Sequence, residues 1–440
     1  MARTPRQKAW FGWCMYDWAN SAFATVILAA VLPVYFASLV PAGGAPMRLF
    51  GTVHLMPAAA LWGYAVAASM AVVVLLAPPL GVYADRHNRH RLLLIVFCVT
   101  GAVATALLAL AGPGRYLLAA LLFVVANVGF AAGNVFYNAF LPALANESEL
   151  DRLSARGFAL GYIGGGLMLF LAFVLIEKAH AFGFADRGAA TRFSFLLTGL
   201  WWGGFALSTF LSLRPEAFIR PPGTTTSGLR GYLATLAELR GQRDLLLFLI
   251  AYLFYNDGIQ TVIVVSAIFG REELKLSTGT ILGAFLMIQF VAMPGALLFG
   301  RFAERFGAKR AVLVSLVCFL GVTGFAYRMH GAREFWLLGF VVALILGGSQ
   351  AISRSLFATM IPAGKNAEFF SFYAISGKFA SVFGPLVFAF VTSWTGSTRL
   401  AILALGVFFL VGIALLLPVN VERARQLAAA QITLSPEDGQ

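Results

Sequence analysis

The chain has 440 residues, of which 60% are hydrophobic, 12% charged and 41 phenylalanine. A mean hydropathy of +0.83 excludes a water-soluble core of ordinary composition and makes lipid the expected solvent. The net charge of +13 invites a nucleic-acid reading, which the placement of the basic residues removes.

A spanning helix takes about 20 mostly apolar residues. Twelve such segments follow in order: 11–39, 62–84, 91–111, 115–141, 156–177, 192–213, 245–269, 277–300, 309–328, 334–361, 368–393 and 398–418. The first begins basic and turns apolar. Asp17 and Asn20 interrupt it and no small-x-small cleavage site follows, so it reads as a retained helix rather than a signal peptide. After it, "VPAGGAPMRLFGTVHLMPAAA" is rich in proline and glycine and reads as an irregular outer loop. In the fifth segment Gly157, Gly161 and Gly165 suit close helix packing, and "GYIGGG" lacks the strand and lysine of a phosphate loop. Residues 214–244 form the longest connection. Pro221, Pro222 and Thr224 to Thr226 mark a linker, after which Leu229, Tyr232, Leu233, Leu236 and Leu239 recur at the spacing of a short amphipathic helix. Cys14, Cys98 and Cys318 lie inside apolar segments with no metal-like spacing, so no disulfide framework, metal or cofactor site is expected.

With the N-terminus in the cytoplasm, 20 Lys and Arg fall on the cytoplasmic side and 10 outside, leaving Arg354 and Lys378 within spans. That bias puts both termini inside, in the cell (inner) membrane, and explains the positive charge by topology instead of nucleic acid.

The two halves repeat. "GVYADRHNRHR" (81–91) returns as "GRFAERFGAKR" (300–310), "NVFYNAFLPAL" (134–144) as "RSLFATMIPAG" (354–364), and "NSAFATVI" (20–27) as "NDGIQTVI" (256–263). The expected fold is an all-α membrane protein of 12 transmembrane helices in two pseudo-symmetric six-helix bundles, 1–213 and 245–440, joined by 214–244. Such a repeat is the signature of a carrier.

The paired loops, G-x-x-A-D-R-x-N-R-x-R and G-x-x-A-E-R-x-G-x-K-R, resemble the signature of the major facilitator superfamily. Gly81 and Gly300 would let helices approach closely, and Asp85 and Glu304 would face a helix N-terminus or a basic partner. Arg86, Arg89, Arg305 and Arg310 would hold the turns, the whole forming a cytoplasmic gate. Asn88 stands where Gly307 stands in the second copy, and both tolerate a left-handed backbone. "YDWANSAF", "YNDGIQTV" and "SRSLFATMIPAGKNAEFFSFYAISGKFASVFGP" look like the vacuole-effluxer branch of that superfamily. The resemblance implies export of small solutes, amino acids in the fungal members.

A charge at the bilayer centre costs at least ~2.5 kcal/mol, so it should face a cavity or a partner. One reading pairs the buried charges with one another. The other gathers Asp17, Asn20, Asn256, Asp257, Gln260, Arg354 and Lys378 around a solute, with acceptors for an ammonium, donors for a carboxylate and a carboxylate to carry a proton. The expected activity is secondary transport of a small zwitterion, an amino acid foremost, by a monomer that exports it with proton coupling. The alternatives are export of another metabolite, peptide or drug and, last, an intramembrane enzyme. No set of nucleophile, base and orienting group is visible, so catalysis is not expected.

Overall fold

The computed structural model describes residues 4–41, 43–49, 52–56, 58–213, 237 and 239–433, a few side chains within the elements excepted. The linker and its amphipathic segment at 214–236 lie outside the described residues.

Helix α1 (Pro5–Ala22) starts where Thr4 and Gln7 form a reciprocal cap and Pro5 takes the first helical position, which needs no amide. It continues as a π-helical stretch, Phe23–Ala30, in which Thr25 donates to the carbonyls of Ser21 and Gly165. The helix then breaks and α2 (Leu32–Leu39) leaves at 44°. Pro33 lies in the first turn of α2, where no intrahelical amide is needed, and without an N–H it cannot continue the preceding helix. The expected irregular loop is instead a hairpin, with β1 (Ala45–Leu49) antiparallel to β2 (Thr52–Met56) in the register Met47↔His54. Its glycines and prolines obscured the strand pattern.

There follow α3 (Ala58–His87), α4 (His90–Leu107), α5 (Tyr116–Ala139), the short α6 (Leu141–Leu144), α7 (Glu147–Glu177) and α8 (Arg187–Ser212). After the linker come α9 (Arg243–Glu272), α10 (Thr278–Phe306), α11 (Ala308–Arg328), α12 (Ala332–Met360) and α13 (Asn366–Thr395). The chain ends in α14 (Thr398–Ala404), α15 (Gly406–Leu416) and α16 (Val421–Thr433). Among the described residues ten helices are long and apolar enough to cross a membrane, or eleven if the bent pair at the start is one span. The remaining expected segment, 368–393, lies in α13, a continuous helix that includes side chains outside the described residues; among the described residues its apolar stretch is Phe383–Thr392.

The chain divides into two compact units. The first holds Met1–Ala77, Arg91–Tyr137 and Leu160–Arg214; the second holds Pro78–His90, Asn138–Ala159 and Pro215–Gln440. In the first, α1 packs on α5 through the Trp13 ring, stacked on Tyr137 at 4.6 Å, while its Nε1 donates to the Tyr137 carbonyl at 3.0 Å. In the second, Phe248 of α9 stacks on Phe357 of α12 at 6.0 Å, at nearly corresponding positions of the repeat. Beyond the spans, Glu273 joins α9 to α14. It accepts from Thr398 and from Arg399 Nε, and these bonds hold its carboxyl below the usual glutamate range. That tie is complete above the ordinary glutamate pKa and fades as pH falls through the lowered one.

Trp13 is fully buried. Trp13→Ala should cost ~3–5 kcal/mol, from lost ring contact plus the cavity left behind, and Trp13→Phe clearly less. Thermal unfolding in detergent checks this; equal melting points for the two variants would show that the ring stack contributes nothing.

Candidate functional site

The two turn motifs are built differently in detail. Late in α3, Gly81 brings backbone against backbone: an added Cβ would lie 2.9 Å from the Ala367 carbonyl oxygen at the start of α13. One turn on, the buried Asp85 carboxylate meets the α13 N-terminus. Its Oδ1 accepts from the Ala367 amide at 3.1 Å and its Oδ2 from the Glu368 amide at 2.9 Å. The first amides of a helix have no acceptor within it, and Lys365 at the N-cap provides none from its side chain. Asp85 supplies that cap from another helix, with its charge at the positive end of the dipole. His90 Nε2 sits 2.6 Å from the same Oδ1. Asn88 holds the turn at φ 51° and Gly307 its counterpart at φ 93°. Arg86 is half-buried and Arg89 exposed.

In the second copy, an added Cβ on Gly300 would lie 2.6 Å from the Ala155 Cβ of α7. Among the described residues Glu304 meets the Arg152 side chain at 3.9 Å, and Arg152 also meets Glu149 at 3.4 Å. That pair is solvated and therefore weak. Arg305 lies over the Phe306 ring at 5.4 Å, and both Arg305 and Arg310 are exposed. Asp151 beside Arg152 accepts a hydrogen bond from Ser355 of α12.

The buried polar residues form separate groups. In the first unit the Asp17 carboxylate accepts from the Tyr137 hydroxyl at 2.8 Å, and Asn20 donates to Asn134 Oδ1 at 2.7 Å. Tyr16 stacks on the same Tyr137 ring at 4.7 Å. In the second unit Asn256 donates to the Gly377 carbonyl at 3.2 Å. Asp257, with no exposed surface, accepts from the Gly384 amide at 2.9 Å and from the Thr261 hydroxyl at 3.3 Å. An amide inside a helix normally bonds the carbonyl four residues back; this one reaches a carboxylate of another helix, one residue before Pro385, where a proline ring weakens such a ladder. Gln260 is half-buried. Lys378 follows Gly377 on α13, and its side chain lies outside the described residues.

Arg354 is 3% exposed and spans three helices. Its Nε donates to Ser154 Oγ at 2.9 Å, one terminal nitrogen to the Ser154 carbonyl at 2.9 Å, and the other to Asn138 Oδ1 at 3.4 Å. The guanidinium lies over the Phe158 ring at 4.3 Å. Ser154, Phe158, Thr261 and His90 are the partners that sequence reasoning missed. A serine or phenylalanine in an apolar segment carries no periodic signal; His90 stood inside the turn motif and was the one that could have been found.

A sequence profile of the family described as "Vacuole effluxer Atg22 like" matches residues 5–429. The chain belongs to the Atg22-like vacuole effluxer family. It is 35% identical over 422 residues, covering 95% of this chain and 96% of the relative, to a protein of Bacillus subtilis named an uncharacterized MFS-type transporter, YxiO. It is 27% identical over 449 residues to autophagy-related protein 22-1 of Aspergillus niger, with 80% of this chain and 71% of that protein covered. Among solved structures, the human organic anion transporter MFSD10 overlays with a TM-score of 0.72 at 15% identity, covering 94% of this chain and all of that one. The transporter FucP in its outward conformation overlays at 0.69 and 13% identity, covering 95% of this chain and all of that one. This Atg22-like chain is an MFS-type transporter with the major facilitator fold.

A Cβ on Gly384 would come 1.9 Å from Thr261 Oγ1 and 2.7 Å from Asp257 Oδ1. Gly384→Ala should therefore push α13 off α9 and lower stability by ~1–3 kcal/mol. Adding Thr261→Ala should recover part of that loss, because the two sites share the contact. Additive effects of the two changes on the melting temperature in detergent would contradict this geometry.

Proposed function

We propose that the protein is a secondary active carrier that exports a small zwitterion, an amino acid foremost, by alternating access coupled to protons. The supporting observation is Asp257, a carboxylate buried within a span. Among the described residues its hydrogen-bond partners are the Thr261 hydroxyl and the backbone amides of Phe383 and Gly384, all neutral. A carboxylate so placed can exchange a proton for a substrate ammonium. Its empty, charged form resists enclosure in a dry site, which ties occupancy to movement. Asp17, with Tyr137 as its donor, is the second proton candidate. Asn20, Asn256 and Gln260 supply neutral contacts, and Arg354 and Lys378 the cations for a substrate carboxylate. The family description supports export, and the excess of Lys and Arg supports a cytoplasmic position for the turns and both termini in a cell membrane. The sequence halves 1–213 and 245–440 are the moving bodies, in a protein that works as a monomer.

Counterflow of radiolabelled solutes in proteoliposomes, run over amino acids, peptides, sugars and drugs, tests the substrate class. Saturable exchange of at least one amino acid is expected, and none for any amino acid would remove that class. Asp257→Asn should lose accumulation driven by an imposed pH gradient while keeping gradient-free exchange. Normal accumulation by the variant would show that the aspartate does not carry the proton.

The turn motifs are proposed as the gate: Gly81, Asp85, Arg86 and Arg89 in one copy, Gly300, Glu304, Arg305 and Arg310 in the other. Asp85→Asn keeps one acceptor for the α13 amides but loses the charge at the helix end. Turnover should fall while equilibrium substrate binding stays within a few-fold, since a gate contact favours one state without touching the ligand. Unchanged turnover would exclude the role.

A further inference from the structure

Ser154 carries more than one bond in the contact between α7 and α12. Its hydroxyl donates to the Ala351 carbonyl at 2.6 Å and accepts from Arg354 Nε at 2.9 Å, while its own carbonyl accepts from the Arg354 terminal nitrogen at 2.9 Å. Asn138 brings α5 to the same guanidinium. Three helices from two stretches far apart in sequence thus meet on one cation, on the side of the second unit where Asp151 meets Ser355 and Ala155 meets Gly300. α7 and α12 cannot separate there without Arg354 giving up these acceptors. Each is a neutral oxygen, and a carboxylate offers the guanidinium two parallel charge-assisted bonds of roughly twice the strength.

We propose that Arg354 is a lock exchanged between two acceptors: Ser154 and Asn138 when α7 and α12 are closed on each other, and the carboxylate of an entering solute when they are apart. The exchange rests on the zwitterion reading above; the lock does not. In the closed state the fold occupies the residue that would bind the solute's anionic end, so solute binding and opening of this face favour each other. On the proposed orientation this face is cytoplasmic, and a solute arriving there would stabilise the state that admits it.

The test uses the full-length protein in nanodiscs, with Cys14, Cys98 and Cys318 replaced by alanine and spin labels at Ser148→Cys on α7 and Arg301→Cys on α10, both exposed positions. Pulsed dipolar spectroscopy then reads the closed and open populations. Without solute, Ser154→Ala and Arg354→Gln should each raise the open-to-closed ratio about tenfold, the worth of one hydrogen bond to a charged group. Ser154→Ala guards against misfolding, because it leaves the arginine in place. An unchanged ratio in both variants overturns the lock. In the parent, a mixture of the proteinogenic amino acids should raise the open population, whereas the matching amines without carboxylates should not, and Arg354→Gln should abolish the response. An equal response to the amines, or none to an amino acid that counterflow shows to be carried, overturns the exchange. If counterflow shows no amino acid to be carried, the substrate reading falls, and the lock stands or falls on the solute-free populations.

Discussion

Hydrocarbon offers no hydrogen bonds, so every polar group carried into a span has to be met by the protein itself. That constraint decides where the helices of this chain can touch. Asp257 is answered by amides of α13 just before Pro385, Asp17 by the hydroxyl of Tyr137, and Arg354 by oxygens of two other helices. Each answer fixes a helix pair at one height and one rotation. Apolar side chains alone would not, because lipid tails solvate them as well as another helix does.

The same constraint makes these contacts suited to switching. On the mechanism proposed above, a neutral partner such as the Ser154 hydroxyl gives way to a carboxylate arriving with the solute. Packed aromatic pairs such as Trp13 on Tyr137 have no such competitor and hold in every state in which the helices stay together. The second unit accordingly collects three separate stretches, Pro78–His90, Asn138–Ala159 and Pro215–Gln440, through polar ties at Asp85, Ser154 and Arg354.

Much of this was legible in the sequence, for a physical reason. The turn motif needs a residue without a Cβ, an acid one turn later and a residue tolerant of positive φ, and Gly81, Asp85 and Asn88 meet those demands in consecutive order. The buried charges were visible because they are rare in apolar runs. What hid was partnership. Nothing in the sequence links Ser154 to Arg354, and a lone arginine in a span reads equally as a substrate group or a structural one. The hairpin Ala45–Met56 hid because proline and glycine dominate its surroundings.

The repeat was also more regular in sequence than in space. Asp85 is short enough to sit within reach of two amides and bury its charge against them. Glu304 has one more methylene and meets Arg152 at the water's edge, at 3.9 Å. A buried carboxylate on a helix N-terminus is screened little by salt, whereas a solvated pair at that distance is screened heavily. The two copies of one motif therefore cannot contribute equally to holding their ends of the bundle together. On the Glu304 side the strength lies elsewhere, with Arg354 of α12 reaching Ser154, two residues after Arg152 on α7. The asymmetry puts the more breakable turn contact beside the Arg354 contact, so that, on the proposals above, the turn that parts more easily adjoins the lock a solute carboxylate would release.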